Sequence, residues 1–268
     1  MNIQTSPSDA LTWRCNICGD WTTGSLAGLG RETASCRTCG STSRWRAVIH
    51  VLSMELFGSA LAISDFPGGP DIKGIGLSDW HGYAAPLATR LGYQNTYYDT
   101  EPRLDITSLD SSLEGSCDFV IASDVFEHVA PPVSQAFRNL CALLKPDGVA
   151  IFTVPYGKTG RTIEHFPELH EYTILEADGG LVLRNITKAG VLQTFDTLTF
   201  HGGPGATLEM RQFAEGSLIE ELHEAGFGAV TTYPARHLEH GIYWPEDWGF
   251  AMSLRPATNR TPVNAIHV

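Results

Sequence analysis

The chain has 268 residues, of which 43% are hydrophobic, enough for one α/β core and a small appendage. Its formal charge of −12 at pH 7 disfavours polyanionic partners such as nucleic acid or an anionic membrane surface. No apolar run reaches the ~18 residues of a membrane-spanning helix, and residues 1–10 lack the pattern of a signal peptide. We therefore expect a cytoplasmic protein with a small-molecule partner and no membrane partner.

Two pairs of cysteines stand near the amino terminus, Cys15-x-x-Cys18 and Cys36-x-x-Cys39, each followed by a glycine. A C-x-x-C turn places two thiolates on one side of a tight loop, and two such turns complete a tetrahedral zinc site. We predict a structural zinc ribbon over residues 1–45, with all four cysteines as metal ligands. A disulfide or a redox dithiol is disfavoured in a reducing cytosol.

Residues 46–71 connect the ribbon to the rest of the chain. Apolar residues at helical spacing predict a linking helix between Trp45 and Leu61. A loop follows from Asp65 to Asp71, because two prolines and two glycines stand close together there. The second domain then extends over residues 72–255.

A short strand from Ile72 to Leu77 runs into a glycine-containing turn and an alanine-rich helix around residues 84–91. Glycine lets the backbone approach a ligand, and the amino end of a helix attracts an anion such as a carboxylate. The turn departs from a dinucleotide fingerprint, because Asp79 stands where a third glycine is needed. Ligand contacts are expected from Gly74, Gly76, Ser78 and Asp79.

The next predicted strand, Asn95 to Tyr98, ends at Asp99. A carboxylate at this position can accept hydrogen bonds from both hydroxyls of a ribose, and ligands in open α/β sheets bind outside the strand ends. Glu101 is the rival for this role. Asp105 and Ile106 follow as further candidates for the same ligand.

Residues 117–156 predict a strand, a helix and a second strand in one run. Phe119–Ala122 and Val149–Val154 are apolar without alternation, as expected of strands that are buried on both faces. Apolar residues recur at helical spacing between Val133 and Leu144. Cys117 and Cys141 lie on these elements and are predicted to be core residues.

The first of these strands ends in Ser123-Asp124 and continues as D-x-x-E-H-V, followed after the helix by L-K-P-x-G. This arrangement resembles the region of the fourth and fifth strands in class I S-adenosylmethionine (SAM) methyltransferases. The segments GxGLSDW, EHFPxLHxY and FHGGxGxTLEMRxF also look like a bacterial subgroup, some of whose members are fused to or found beside glycosyltransferases. With the cysteine pairs, the resemblance covers nearly the whole chain.

The resemblance implies an α/β fold with a Rossmann-like sheet of seven mostly parallel strands, an amino-terminal zinc ribbon and SAM as cofactor. It places Asp99 on the cofactor's ribose, Asp105 on the exocyclic amine of its adenine and Ile106 on the face of that ring. The residues expected to bind the cofactor are Gly74, Gly76, Ser78, Asp79, Asp99, Asp105, Ile106, Ser123 and Asp124.

Residues 157–211 form an insertion after the fifth strand that is rich in histidine and aromatic residues. We expect it to act as a lid and to form the wall of the acceptor pocket. His128, at the strand end, is the first candidate for a general base, and His165 and His201 from the insertion come next. For His165, His170 and His201 of the insertion, a hydrogen-bonded structural histidine is an equally open alternative.

An amphipathic helix from Ser217 to Gly226 and strands at Val230–Tyr233 and Phe250–Leu254 are predicted to complete the fold. Residues 256–268 are expected to be a flexible tail. The aromatic segment between the two strands is either an edge of the acceptor site or surface packing.

The sequence thus predicts a SAM-dependent methyltransferase that transfers a methyl group to an oxygen or nitrogen of a small polar metabolite or a sugar-containing substrate. One alternative is a zinc-ribbon ribosomal RNA base methyltransferase, with Arg31, Arg37, Arg44 and Arg46 as a small basic patch. Another is a non-catalytic zinc-ribbon interaction protein with a degenerate SAM domain. In a third, Asp124, Glu127 and His128 bind a divalent cation, as in some quinone O-methyltransferases. The sequence leaves the oligomeric state open.

Overall fold

A computed structural model describes residues 10–177, 179–203 and 205–257. Most of the predicted tail lies outside these residues, and its first residue, Pro256, is the last residue of a strand. The strands are Ala10–Arg14 (β1), Trp21–Ser25 (β2), Gly69–Leu77 (β3), Leu91–Thr96 (β4), Cys117–Ser123 (β5), Leu144–Thr153 (β6), Tyr156–Gly157 (β7), Ile163–Glu164 (β8), Glu171–Ala177 (β9), Gly180–Ile186 (β10), Leu192–Phe195 (β11), Phe200–His201 (β12), Thr207–Leu208 (β13), Arg211–Ala214 (β14), Phe227–Thr232 (β15) and Met252–Pro256 (β16). The helices are Ser43–Phe57 (α1), His81–Arg90 (α2), Val133–Leu143 (α3) and Glu215–Glu224 (α4).

The ribbon consists of the antiparallel pair β1 and β2, followed by a second cysteine turn. Gly19 and Gly40 follow the two cysteine pairs with φ angles of 82° and 72°, a conformation that glycine adopts without a steric penalty. Their N–H groups donate to the carbonyl oxygens of Cys15 and Cys36. These turns direct the four thiols towards one another.

Helix α1 belongs to the main core, although the sequence predicts a linking helix there. It begins after Thr42, whose hydroxyl accepts a hydrogen bond from the N–H of Trp45, and ends at Gly58 in a left-handed conformation. Val48 and Leu52 are fully buried in a cluster with α2 and the central sheet. The division of the chain into ribbon, linker and catalytic domain stays a prediction.

The central sheet has the strand order β15-β16-β6-β5-β3-β4. Strands β6, β5, β3 and β4 are parallel, and β16 is antiparallel to both of its neighbours. Residues of β5 alternate between two apolar clusters, with Phe119 and Ile121 facing α1 and α2, and Val120 and Ala122 facing α3 and α4. The expected Rossmann-like α/β sheet is confirmed, with helices on both faces.

Among the residues that the structure describes, the sheet has six strands, whereas the family resemblance implies seven. After β4 the chain folds back on itself, so that the N–H of Tyr97 donates to the carbonyl of Pro102 and the N–H of Leu104 to that of Tyr97. A single bridge, between Tyr97 and Arg103, joins the two arms of this turn. The segment after β4 therefore forms a turn at this edge of the sheet and not a further strand.

The insertion folds into small sheets over the carboxyl ends of the parallel strands. Strands β9, β10 and β11 form an antiparallel sheet, and β12 pairs with β13. A separate apolar cluster holds them together, centred on Phe166, Leu183, Leu208 and Met210. Strand β14 pairs with β7 and β8 and returns the chain to α4. Within the described ranges, every helix is too short or too polar to cross a membrane.

Candidate functional site

A cavity of about 1170 Å³ lies outside the carboxyl ends of β3, β4 and β5, between the sheet and the insertion. Eight of the residues predicted to bind cofactor or to act as a base line it. They are Ser78, Asp99, Asp105, Ile106, Ser123, Asp124, His128 and His201. Since carboxyl ends of parallel strands meet at one edge, residues far apart in sequence converge here.

The cofactor side of the cavity combines an apolar surface with two acids. Ile106 and Leu104 are buried and line the wall, and Asp99 and Asp105 stand beside them. The Asp105 carboxylate accepts hydrogen bonds from the N–H and the hydroxyl of Thr107, at 2.9 and 2.7 Å, which fixes its position. An apolar face next to carboxylates suits an adenosine, whose ring stacks and whose hydroxyl and amino groups donate.

Gly74 and Gly76 are not among the residues that line the cavity, so their predicted cofactor contacts stay a prediction, and the structure shows a packing role for both. A Cβ at position 74 would lie 2.1 Å from the ring of Phe119, and one at position 76 would lie 2.0 Å from the hydroxyl of Tyr93. Both contacts are far too short for real atoms. The glycines therefore make room for aromatic rings in the sheet.

Asp79 is not among the cavity residues either, and two tyrosines hydrogen-bond to its carboxylate. The hydroxyls of Tyr83 and Tyr93 donate to its two oxygens at 2.7 and 2.6 Å, and the side chain is almost completely buried. Burial raises the pKa of Asp79 to about 7, against the lowering effect of the tyrosines and of Arg44. The sequence could not reveal this role, since Tyr93 comes from the neighbouring strand β4.

Between pH 4 and pH 8, the free energy of unfolding is expected to fall less in the Asp79→Asn variant than in the wild type. Since the folded-state pKa of Asp79 is raised, its contribution is complete below the unfolded value near 4 and is lost as the pH rises through 7. A shift of this size corresponds to about 4 kcal/mol. Urea unfolding at pH 4 and pH 8 should show a smaller difference in the variant than in the wild type.

Asp71→Asn, a substitution of an exposed aspartate in β3, is the matched control for this measurement. It should unfold with the same pH dependence as the wild type. Equal pH dependence in Asp79→Asn and the wild type would contradict the assignment of a buried carboxyl group with a raised pKa at position 79.

Two arginines from the ribbon and α1 enclose Asp124 at the end of β5. Arg31 donates to both carboxylate oxygens at 2.8 and 2.9 Å, and Arg44 lies 3.1 Å from one of them. Although burial alone would raise it, the two guanidinium charges hold the pKa of Asp124 well below its usual range. Arg44 also donates to the hydroxyl of Ser123 at 2.7 Å. Asp124 and Ser123 thus bind these two arginines and also line the cavity, and their predicted contact with the cofactor stays a prediction.

The residues after β3 and β5 both have unusual backbone conformations. Ser78 has a φ angle of 56° and Asp124 one of 53°, a region that residues with a Cβ rarely adopt. Such conformations cluster at ligand-binding sites, where the surrounding contacts hold them in place. At Asp124 those contacts include a hydrogen bond from its N–H to the carbonyl of Thr153.

Sequence reasoning missed the aromatic wall of the cavity and the buried role of the arginines. Trp45 and Trp80 both line the cavity and stack at 4.0 Å between ring centroids, with 6° between their planes. Arg31 lies over the ring of Trp248, from the predicted aromatic segment. In the sequence, the only indication of these arginines' role is their excess in the ribbon of an acidic chain, and that excess suggests a basic surface patch.

A cluster of histidines and glutamates lies on the acceptor side of the cavity. His128 donates from Nδ1 to the carbonyl of Leu208 at 2.9 Å, and its Nε2 lies 3.2 Å from Nδ1 of His201. Glu209 accepts from His201 at 3.0 Å and from His165 at 2.9 Å. Burial lowers the pKa of His128, which favours the neutral ring.

His165 is not among the cavity residues and contacts His201 only through the shared carboxylate of Glu209. This placement does not support His165 as a general base, and its predicted catalytic role stays a prediction. The predicted cation set of Asp124, Glu127 and His128 also differs from the structure, because Asp124 is paired with the arginines. The side chains that come together are Glu127, His128 and His201.

The four ribbon cysteines bring their sulfur atoms within 4.8 Å of one another. The distance is 3.7 Å between Sγ of Cys15 and Cys39 and again 3.7 Å between Cys18 and Cys36. A tetrahedral zinc ion with bonds of about 2.3 Å separates its sulfur ligands by about 3.8 Å. The cluster fits a closed structural zinc site.

Comparisons with known proteins agree with this architecture. Residues 74–232 match a family model described as a methyltransferase domain. No curated protein matches the chain. Solved structures with a similar fold include the sugar N-methyltransferase KedS8 from Streptoalloteichus sp ATCC 53650, with 11% identity, a TM-score of 0.45 and coverage of 82% of this chain and 89% of that one.

Two further similar structures come from other bacteria. The 1,6-didemethyltoxoflavin-N1-methyltransferase of Burkholderia thailandensis has 16% identity, a TM-score of 0.40 and coverage of 78% of each chain. A SAM-dependent methyltransferase from Clostridium acetobutylicum ATCC 824 has 11% identity, a TM-score of 0.39 and coverage of 72% of this chain and 84% of that one. The family match spans more than half of the chain and confirms the resemblance noted in its motifs. The chain therefore belongs to the class I SAM-dependent methyltransferases.

Proposed function

We propose that the enzyme methylates an oxygen or nitrogen of a small polar acceptor, such as a metabolite or a sugar-containing molecule. The observation that supports this most is the cover over the cavity. Tyr172 and Ile174 of β9 and Leu208 of β13 line the cavity opposite the sheet. A site covered in this way accommodates a small molecule more readily than a polymer.

SAM supplies an activated methyl group on a sulfonium when it is bound, so the protein needs to hold and align the acceptor. We assign its adenosine to the wall formed by Ile106, Asp99 and Asp105. On this assignment the acceptor lies on the other side, against His128 and His201. These two rings would orient the acceptor's reacting atom and take part in removing its proton.

Three of the four arginines in the predicted basic patch are buried and only Arg37 of that patch is exposed, which argues against the alternative of an RNA substrate. Arg31, Arg44 and Arg46 are all less than 10% exposed, and Arg46 donates to backbone carbonyls of Ser41 and Gly241. They do not present the basic surface that an RNA reader needs. The net charge of −12 has the same implication.

Asp99→Ala is expected to weaken SAM binding by 1–3 kcal/mol, or about 5- to 150-fold, since it leaves ribose hydroxyls without an acceptor. Titration calorimetry with SAM and with its demethylated product measures this. Glu101→Ala is the matched control, because the Glu101 carboxylate accepts from the N–H of Arg103 and lies outside the cavity lining. It should bind SAM like the wild type. Equal losses in the two variants would contradict the placement of the ribose.

A panel of sugars, amino sugars and hydroxylated metabolites, each incubated with SAM, tests the acceptor class by mass spectrometry. We expect a mass gain of one methyl group in a small polar acceptor. Methylation of ribosomal RNA in place of these compounds would support the alternative function and overturn the proposal.

A further inference from the structure

The carboxylate of Glu127 lacks a hydrogen-bond partner, although it is among the most buried polar groups in the described part of the chain. Its side chain is 1% exposed, and neither oxygen is paired there. Burying a carboxylate is costly unless hydrogen bonds or an opposite charge compensate for it. Its Oε1 lies 3.7 Å from Nε2 of His128 and 4.0 Å from Nδ1 of His201. The unpaired oxygen therefore points at two imidazole nitrogens.

Those two nitrogens carry lone pairs in the neutral rings. Nδ1 of His128, its outer nitrogen, contacts the carbonyl oxygen of Leu208. A carbonyl oxygen only accepts hydrogen bonds, so this nitrogen carries the proton. Nε2 of His201, the outer nitrogen of that ring, contacts the carboxylate of Glu209 and carries the proton for the same reason. The inner nitrogens, Nε2 of His128 and Nδ1 of His201, are 3.2 Å apart and then face each other as acceptors. Three acceptors converge, and a cation between them would satisfy all three.

The spacing of the three atoms matches a metal ion. A triangle with sides of 3.2, 3.7 and 4.0 Å has a point that is about 2.1 Å from each corner. Bonds of this length are typical of zinc with imidazole nitrogen and carboxylate oxygen. Hydrogen bonds from the outer ring nitrogens to a carbonyl and a carboxylate are also the usual support for metal-bound histidine.

We propose that Glu127, His128 and His201 bind one divalent transition-metal cation, with zinc as the first choice. Two histidines and one carboxylate leave coordination positions free, as in catalytic zinc sites and unlike the closed cysteine site. His128 and His201 line the cavity, so the free positions face the acceptor side. Asp124 takes no part, because Arg31 and Arg44 neutralise it. Glu209 and His165 orient His201 from behind.

If the enzyme methylates a small polar acceptor as proposed above, the cation favours acceptors that carry a hydroxyl group. An acceptor with a hydroxyl group would bind it through oxygen, and the bound hydroxyl would lose its proton to solvent at neutral pH. The oxygen then attacks the methyl carbon, while the carbon–sulfur bond breaks and its electron pair stays on sulfur. This refines the role given to the histidines above: with Nε2 of His128 and Nδ1 of His201 bound to the metal, they promote loss of the proton through the cation and not as free bases. The proposal thus favours O-methylation of a hydroxylated acceptor.

Metal counting tests the site without any methyl acceptor. Purified protein is dialysed against a small excess of zinc, and bound zinc is measured by elemental analysis. We expect about two zinc ions per chain in the wild type, one for each site. Glu127→Gln, which keeps the shape of the side chain, should retain about one. His201→Ala should also retain about one, and its partly exposed side chain makes failure to fold less of a concern.

Three further variants serve as controls. Cys36→Ser should lose the ribbon zinc and keep the second ion, and Glu168→Gln, an exposed glutamate of the insertion, should keep both. His237→Ala tests another group of three histidines, His50, His237 and His240, which also lie close together. It should keep both ions. If the second ion is lost in His237→Ala but kept in Glu127→Gln, the metal binds elsewhere and the proposal is wrong.

Calorimetric titration with zinc gives the affinity of the second site. Removing a ligand should weaken it by at least about 100-fold, because loss of an outer-shell partner alone costs about 10- to 100-fold. A wild type that binds only the ribbon zinc, at millimolar free zinc, would overturn the proposal, and the imidazoles would then share a proton in place of a metal. These outcomes are independent of methyl transfer. A protein that binds SAM and two zinc ions but methylates no hydroxylated acceptor would contradict the proposed acceptor and leave the metal site intact.

Discussion

Removal of the ribbon zinc is expected to unfold residues 10–42 and to weaken SAM binding by about tenfold or more. The first effect follows from size, because a ribbon this small does not bury enough apolar surface to fold without its metal. The second follows from the position of Arg31. It lies between the two cysteine turns and reaches Asp124 in the loop that borders the cavity.

The sequence alone predicts a purely structural zinc site, separate from the cofactor. In the structure, the ribbon contacts the segment that precedes β16 at several points. Arg31 donates from Nε to the carbonyl of Gly249 at 3.0 Å, and Trp13 packs where a side chain at Gly241 would clash with it. Loss of the ribbon would release Arg31 and leave the Asp124 charge compensated only by Arg44.

Cys36→Ser tests this expectation. Hydrogen exchange should increase throughout residues 10–42, and calorimetry should show weaker SAM binding, because the strained loop at Asp124 loses an anchor. Cys117→Ala is the matched control, since Cys117 is a buried core cysteine outside the zinc cluster. It should keep both the zinc and the SAM affinity. Unchanged SAM affinity in a Cys36→Ser protein with an unfolded ribbon would show that the ribbon is independent of the site.

Local patterns in the sequence predict the features that depend on neighbouring residues. The spacing of Cys15 and Cys18, repeated at Cys36 and Cys39, determines a metal site within two short turns. The uniformly apolar run from Phe119 to Ala122 requires burial on both faces, and it forms the centre of β5. Because ligands bind outside strand ends, the same reasoning places Asp99, Asp105 and His128 on the cavity.

Contacts across the chain are beyond this kind of reasoning. Arg31 and Asp124 are 93 residues apart, and nothing in either segment indicates the other. Asp79 looks like a ligand residue because it follows a glycine turn, and only the tyrosine from the next strand reveals its structural role. The sequence shows the helical spacing of apolar residues in α1. It does not show that α1 packs against α2 and the central sheet, because that depends on how the ribbon folds back. The isolation of Glu127 is visible only once the insertion is in place.

Arg31→Met is expected to destabilise the protein by about 3 kcal/mol. The side chains of Arg31 and Asp124 are only 8% and 15% exposed, so the substitution leaves a buried carboxylate with one remaining cationic partner, Arg44. Removing one partner of a buried ion pair usually costs 3–5 kcal/mol, and Arg44 should hold the loss near the lower end. The cost arises mainly from the unpaired charge on Asp124.

A double-mutant cycle with Asp124→Asn separates that charge from lost packing. Chemical unfolding of both single variants and the double variant should give a coupling energy of about 1–3 kcal/mol, since the substituted amide no longer carries a charge that requires Arg31. Arg14→Ala provides the matched control. Its pair with Asp65 is 35% and 41% exposed and should contribute less than about 1 kcal/mol. Additive effects of the two substitutions at positions 31 and 124 would mean that Arg31 stabilises the fold through its contacts with Gly249 and Trp248 and that its charge on Asp124 is not needed.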